Sequence, residues 1–345
     1  MPHRDIIVMG ASAGGIDGFR EILSALPGDF AGSVFIVLHI PPDAPSRLAA
    51  ILDRHAALPV TTAEDGARIE PGHIYVAPPD HHLILEPDKM RVVRGPRENR
   101  HRPAIDPLFR SAARSFGSRV IGVLLSGLLD DGTSGLQVIH ARDGVSIVQD
   151  PSEAEFSTMP HNAVEFDSPD HVVPVAQIGP LLVQLARESV PEKPAAKPVS
   201  PELNREVGVA EMNMDDIQAE RAGDPSAFSC PECKGVLWEV EEADLARFRC
   251  RVGHAYSSES LLAAKSEELE AALWAALRAL EENAAMSRRM AARARKSGHK
   301  RSHARLTEHA TEQQQQAAMV RNMLVHNGVT TAHTDREAAG TGTEG

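Results

Sequence analysis

A serine stands in the turn Gly10-Ala-Ser12-Ala-Gly14-Gly15, between a short apolar run and a helical pattern. The spacing Gly10-x-Ser12-x-Gly14 suits a nucleophile elbow, in which small neighbours allow a sharp turn and expose the hydroxyl. The N-terminus of the following helix offers N–H groups to a developing oxyanion. A Gly-rich turn of this kind also cradles phosphates. The dinucleotide fingerprint, however, needs Gly where Ser12 stands and an acidic residue where the second strand ends in His39. His39 closes the apolar run Val34–Leu38, and Asp131 follows the run Val120–Leu125 within Ser126-Gly-Leu-Leu-Asp130-Asp131-Gly132. In a parallel sheet functional residues gather at the carboxyl ends of strands. Three strand ends thus offer a nucleophile, a base and an orienting carboxylate to one rim. Each feature has a plainer reading alone: a structural turn, a polar cap on a strand, a helix-capping Asp. Spacing does not separate Asp130 from Asp131, and the order Ser, His, Asp differs from that of α/β-hydrolases.

A second set is metal-like. Cys230-Pro-Glu-Cys233 and Cys250-Arg-Val-Gly-His254 flank the strand-like runs Val236–Val240 and Arg247–Arg249. Two chelating pairs across a short hairpin predict a structural zinc site with Cys230, Cys233, Cys250 and His254 as ligands. With every ligand committed, catalytic zinc is not expected, and catalysis needs no cofactor. A redox CxxC belongs at the start of a helix in a thioredoxin-like unit, and that context is missing.

The elements that must position these residues alternate between strand-like and helix-like up to about Ser189. That pattern predicts an α/β fold, a doubly wound and mainly parallel sheet, followed by a small zinc-ribbon-like module and a C-terminal helical hairpin. The boundaries read as residues 1–189 for the catalytic domain, 190–227 for a flexible Pro- and charge-rich linker, and 228–256 for the ribbon. The hairpin follows at 257–326, and a disordered tail at 327–345. Leu261, Leu262, Leu269, Leu273, Trp274, Leu277 and Leu280 recur at helical spacing, for packing within the helix pair or for partner binding and self-association. Over 345 residues the net charge is −12 and the pI near 5.7, which weighs against nucleic acid as a partner. No run approaches the roughly 18 apolar residues of a membrane span. The N-terminal apolar segment is too short for a secretory signal. Three clustered cysteines are no disulfide framework, so a cytoplasmic protein without membrane insertion is expected.

Gly10–Gly15, Leu38-His39-Ile-Pro-Pro42 and Ser126–Gly132 resemble the three active-site segments of the chemotaxis-type protein-glutamate methylesterases. Pro71–Pro78, Asn99–Phe109 and Met159-Pro160 resemble that family too, in order, over about Asp5 to Ser189. The resemblance implies hydrolysis of glutamate γ-methyl esters, and in some members glutamine deamidation, on methyl-accepting chemoreceptor-like proteins. It puts the nucleophile on Ser12, the base on His39 and the carboxylate on Asp131. Beside the resemblance, backbone N–H groups near Ala13 or Leu128 could stabilise the oxyanion, Arg100 and Arg102 could meet acidic receptor surface or equally form a solvated turn, and Met159 is placed among the substrate contacts. The chain departs from the family at Ala13, where a second hydroxyl is usual, at Ser126-Gly-Leu128 for Thr-Gly-Met, and at His161 for Arg. The phosphoacceptor domain usual in the family is not seen before the catalytic segment. A non-catalytic receptor-binding scaffold and a serine esterase with an unrelated substrate are the alternatives.

Overall fold

The computed structural model describes residues 3–43, 47–190, 199–213, 215–216, 224–242 and 245–337. In chain order the main sheet uses β1 (Ile6–Ala11), β2 (Ser33–Leu38), β3 (Val60–Thr62), β4 (Ile74–Val76), β7 (Val120–Leu124), β8 (Val145–Gln149) and β9 (His171–Val173). All pair in parallel, in the order β3-β4-β2-β1-β7-β8-β9. β5 (His82–Leu85) and β6 (Met90–Val93) form a separate antiparallel ribbon.

The central strands are apolar at every position because both faces are covered. Alternation sends Ile7, Met9, Val34, Ile36, Ile121 and Val123 to one face, against Phe19, Ile22 and Leu23 of α1 (Gly15–Ser24) and Ile178 and Leu182 of α6 (Val175–Arg187). Ile6, Val8, Phe35, Val37, Val120 and Leu124 face the other way, onto Ile105, Leu108 and Phe109 of α3 (Ile105–Phe116) and Leu136 and Ile139 of α4 (Thr133–Ala141). α2 (Leu48–Asp53) and α5 (Thr158–Asp167) complete the layers. β1 has β2 on one side and β7 on the other, so strand order reverses there and a crevice opens at the carboxyl ends.

The structure differs from the sequence reading in the linker. Residues 191–198, with Pro191, Pro194 and Pro198, lie outside the described residues, but α7 (Pro201–Ala210) is a regular helix within the segment expected to be flexible. Ser200 caps it by accepting from Leu203 N–H at 3.1 Å, Pro201 stands at its first turn, and Leu203, Val207 and Ala210 bury against Ile84. The proline and charge content masked a short amphipathic stripe.

The chain divides into two compact units, Met1–Leu262 and Ala263–Gly345. The cysteine-bearing sheet, β10 (Asp224–Ser229), β11 (Val236–Glu242), β12 (Leu245–Cys250) and β13 (Ala255–Ser257), is antiparallel and falls within the first unit. Buried ion pairs attach it there: Arg247 of β12 meets Glu98 and, at 3.3 Å, Glu206 of α7. α8 (Ser258–Lys296) runs on from β13, and Gly298, at φ 74°, turns the chain into α9 (Lys300–Glu337). In the second unit Leu273, Leu277 and Leu280 pack with Ala317, Val320 and Leu324. Leu262, Leu269 and Trp274 of the expected stripe are exposed. α9 continues past residue 326, where the tail was expected to begin, and residues 338–345 lie outside the described residues.

Candidate active site

Ser12 follows β1 directly. Its N–H donates to the Ser126 carbonyl at 3.0 Å, and its own carbonyl accepts from Gly15 N–H at 3.2 Å. Gly14 makes the turn possible: at φ 71° it occupies the left-handed region, and a Cβ there would lie 2.8 Å from Glu155 Oε2 and 2.9 Å from Ser126 Oγ. His39 follows β2, with its N–H on the Ala11 carbonyl at 3.2 Å. Asp131 lies between β7 and α4, so the three residues project from neighbouring strand ends.

Asp131, not Asp130, meets the histidine. His39 Nε2 lies 2.7 Å from Asp131 Oδ2, with both side chains almost wholly buried. The same oxygen accepts from Ile105 N–H at 2.7 Å, and Oδ1 accepts from Asn99 Nδ2 at 2.9 Å and Asp106 N–H at 3.3 Å. Asp131 thus caps α3 from outside, where the helix dipole favours an anion. Asp106 returns the arrangement: its Oδ1 accepts from Gly132 N–H at 3.2 Å and Gly135 N–H at 2.7 Å, at the start of α4. Burial alone would raise Asp131. The hydrogen bond and charge of His39, with the Ile105 and Asn99 donors, hold it well below the ordinary carboxylate range. Burial, and then the Asp131 charge, pushes Asp106 well above that range. Of two adjacent buried carboxyls, Asp131 is thus the one whose surroundings favour the anion. With Nε2 donating to Asp131, the lone pair lies on Nδ1, which has no hydrogen-bond partner among the described residues. A cleft of about 710 Å³ is lined by Ser12, Ala13, His39, Arg97, Arg100 and His101, among others.

The family model described as CheB methylesterase matches residues 7–182. The chain belongs to the CheB methylesterase family. A relative from Leptospira interrogans, named as a candidate protein-glutamate methylesterase/protein-glutamine glutaminase, is 37% identical over 190 residues, covering 55% of this chain and 98% of the relative. A Pseudomonas aeruginosa protein named protein-glutamate methylesterase/protein-glutamine glutaminase 2 is 39% identical over 185 residues, covering 52% of this chain and 53% of that protein. The chain thus spans about half the length of that second relative. The crystal structure of the Thermotoga maritima CheB methylesterase catalytic domain superposes with a TM-score of 0.51 at 33% identity, covering 52% of this chain and 98% of that one.

Within this CheB methylesterase domain, the loop before α3 supplies groups that the sequence reading did not single out. Glu98–His101 is a tight hairpin turn: Asn99 and Arg100 have φ of 47° and 73°, and His101 N–H donates to the Glu98 carbonyl at 2.8 Å. The turn aims Asn99 Nδ2 at both Asp131 and, at 3.0 Å, Asp106. It also stacks His101 flat on His39, with centroids 3.6 Å apart and planes 5° from parallel. Burial, the His39 charge and nearby arginines push His101 down to about 3, so it is a neutral plate behind the base. Buried His82 braces the loop, with Nε2 on the Pro96 carbonyl at 2.8 Å and Nδ1 accepting from Ala104 N–H at 3.2 Å. The segment Asn99–Phe109 is legible as a motif, but nothing local in it marks Asn99 and Asp106 as buried, or His101 as largely so.

The predicted substrate contacts divide. Ala13 and Arg100 line the cleft. Arg102 lines it too, but its guanidinium is committed to Asp80, with Nε at 2.9 Å, and to the Gly95 carbonyl at 2.7 Å. Leu128 is exposed beside the serine turn. Met159 is fully buried and offers a substrate no surface; it packs under Gly127, where a Cβ would lie 2.4 Å from its Cε and 2.9 Å from Ser12 Cβ. The ligand atoms of Cys230, Cys233, Cys250 and His254 come together within 4.8 Å of one another.

Proposed function

We propose that the chain hydrolyses glutamate γ-methyl esters, and deamidates glutamines, on methyl-accepting chemoreceptor-like proteins, with Ser12 as nucleophile, His39 as base and Asp131 as orienting carboxylate. The observation that carries this reading is the His39 Nε2–Asp131 contact of 2.7 Å, which leaves Nδ1 for the serine on the shared cleft wall. Ser12 Oγ attacks the ester carbonyl carbon as its proton passes to His39 Nδ1. The tetrahedral intermediate expels methoxide, which leaves as methanol with that proton. Water then attacks the acyl-serine, His39 takes its proton, and Ser12 leaves with it. For a glutamine the first leaving group is ammonia. Ser12 N–H and Gly127 N–H are already bonded, to Ser126 and Phe156 carbonyls at 3.0 Å each, so the Ala13 and Leu128 amides are the candidates for the oxyanion.

Asp131 remains charged throughout and stabilises imidazolium, which the neutral His101 plate does not oppose. Arg100 on the cleft wall suits an acidic helix surface, whereas Arg97 beside it is paired with Glu232 at 3.1 Å. A cytoplasmic location fits the unpaired cysteines, and among the described residues no helix is long and apolar enough to cross a membrane. The test is methanol release from methylated receptor fragments. Wild type should release it, and Ser12→Ala should lose at least about a thousandfold. Methanol release undiminished in the variant, or none from wild type, would remove the reading in favour of a binding scaffold or an unrelated ester substrate.

A further inference from the structure

We propose that Cys230, Cys233, Cys250 and His254 hold one zinc ion, and that this ion fixes the segment Ala255–Ser260 against Asn99, making the metal site a positioning element for Asp131. The metal half stands alone, and the kinetic half rests on the esterase reading.

The four donors have the right chemistry and spacing. Zinc at about 2.3 Å from sulfur and 2.0–2.1 Å from nitrogen gives a tetrahedron with S–S edges of about 3.8 Å and S–N edges of about 3.5 Å. Cys233 and Cys250 Sγ are 3.6 Å apart, and His254 Nδ1 is 3.7 Å from Cys230 Sγ and 3.5 Å from Cys250 Sγ. A disulfide would need about 2.05 Å. Each chelating pair lies on a tight turn. Cys230 N–H donates to the Gly235 carbonyl at 2.7 Å, and Cys250 N–H to the His254 carbonyl at 3.0 Å. Gly253, at φ 105°, permits the second turn. Tyr256 Oη lies 3.8 Å from Cys230 Sγ, placed to donate to a thiolate. Among the described residues the large apolar side chains that the sheet buries are Leu237, Phe248 and Tyr256, so metal binding would supply much of its folding energy.

The ligand His254 is next in sequence to the contact with the triad loop. Ala255 N–H donates to the Arg97 carbonyl at 3.2 Å, and the Ala255 carbonyl accepts from Asn99 N–H at 2.9 Å. Asn99 Oδ1 accepts from Ser257 N–H at 3.0 Å and from Ser260 Oγ at 3.2 Å. The Ser257 N–H fixes which way the Asn99 amide faces, and Ser260 Oγ, also 3.2 Å from the Ser257 carbonyl, supports it. With its oxygen turned to the C-terminal segment, its NH₂ must face Asp131 and Asp106. Released from Ser257 and Ser260, the amide is held from the carboxyl side alone, and its donation to Asp131 Oδ1 is less firmly placed. Ser257 Oγ also donates to Asp130 at 2.6 Å, drawing the second carboxylate of the pair away from His39. Asn99 is thus a positioning residue, and the zinc-clamped strand orients it.

The experiment compares the full chain with Cys233→Ser, Cys233→His and Ser260→Ala. The readouts are zinc content by mass spectrometry, kcat and KM for methanol release, and the downfield proton resonance of the His39–Asp131 hydrogen bond. Wild type should carry one zinc. Cys233→Ser should lose it, with kcat down at least about tenfold, KM held within about twofold, and the resonance broadened away. Cys233→His keeps a ligand and should retain metal, kcat and resonance. Ser260→Ala should keep zinc and lose about fivefold in kcat, the scale of one hydrogen bond; it decides the matter if Cys233→Ser does not fold. Wild-type chain that takes up no zinc with all three thiols reduced overturns the metal site. Loss of zinc with kcat and resonance unchanged, or Ser260→Ala at wild-type kcat, overturns the link to Asp131. If wild type binds zinc but releases no methanol, the esterase reading fails and the resonance alone decides the positioning claim.

Discussion

Asp131→Asn isolates the charge of the triad from its shape. The carboxylate accepts from four donors: His39 Nε2 and Ile105 N–H on one oxygen, Asn99 Nδ2 and Asp106 N–H on the other. An amide of the same size has one oxygen and one NH₂, so in either orientation two donors face a donor. If the NH₂ replaces Oδ2, His39 Nε2 must accept, its proton moves to Nδ1, and the lone pair that serves Ser12 is gone. If the NH₂ replaces Oδ1, it faces Asn99 and Asp106, and the imidazolium of the transition state still loses its counter-charge. The wrong tautomer and lost charge together should lower kcat about 10⁴-fold, or about 5.5 kcal/mol of transition-state stabilisation. Unsatisfied buried donors should cost about 1–3 kcal/mol of stability apiece. Because the folded pKa of Asp131 is depressed, its stabilisation is present above the unfolded carboxylate pKa of about 3.9 and lost as pH falls through the folded value. Asp131→Asn should therefore flatten the acid side of the stability curve. Steady-state methanol release and thermal melts against pH measure both. A variant within about tenfold of wild-type kcat would refute the claim that Asp131 sets the tautomer of His39.

His101→Ala should lower kcat about tenfold by removing the plate behind His39, while His101→Phe should stay within about threefold, since ring stacking contributes about 0.5–1.5 kcal/mol. With His101 pushed down to about 3, neither variant should move the acid limb of the pH–kcat profile, and a moved limb would show that His101 titrates in turnover. Burial, with Glu259 and Asp131 adding to it, pushes Asp130 up to about 6. Its contribution to stability is therefore full below the unfolded pKa of about 3.9 and lost as pH rises to about 6, so Asp130→Asn should reduce the fall in Tm between about pH 4 and pH 6; an unchanged fall counts against it. Leu203→Ala should cost about 2 kcal/mol in denaturant unfolding if α7 is a packed helix, and nothing if the segment is a loose tether.

The sequence by itself determined the layers of the fold and the level of the site. Strands such as Ile6–Ala11 and Ser33–Leu38 are apolar at every position because both faces are covered, and that is readable locally. So was the placement of Ser12, His39 and Asp131 at strand ends, since a parallel sheet sends its strand ends to one rim. The gathering of Cys230, Cys233, Cys250 and His254 was legible because each pair is close in sequence and a hairpin joins the two. Spacing left Asp130 and Asp131 open and the family resemblance chose Asp131; tertiary structure alone decided which ring nitrogen meets it, and that Asn99, Asp106 and His101 stand around the pair. It also decided that Met159 is packing rather than substrate contact, and that a helix lies within the Pro-rich linker. These are choices among buried polar and apolar partners that meet across the sheet, as Asn99 meets Asp131 and Ser260 meets Asn99. Periodicity reports which face of an element is buried; a buried hydrogen bond depends on what the rest of the chain places opposite it.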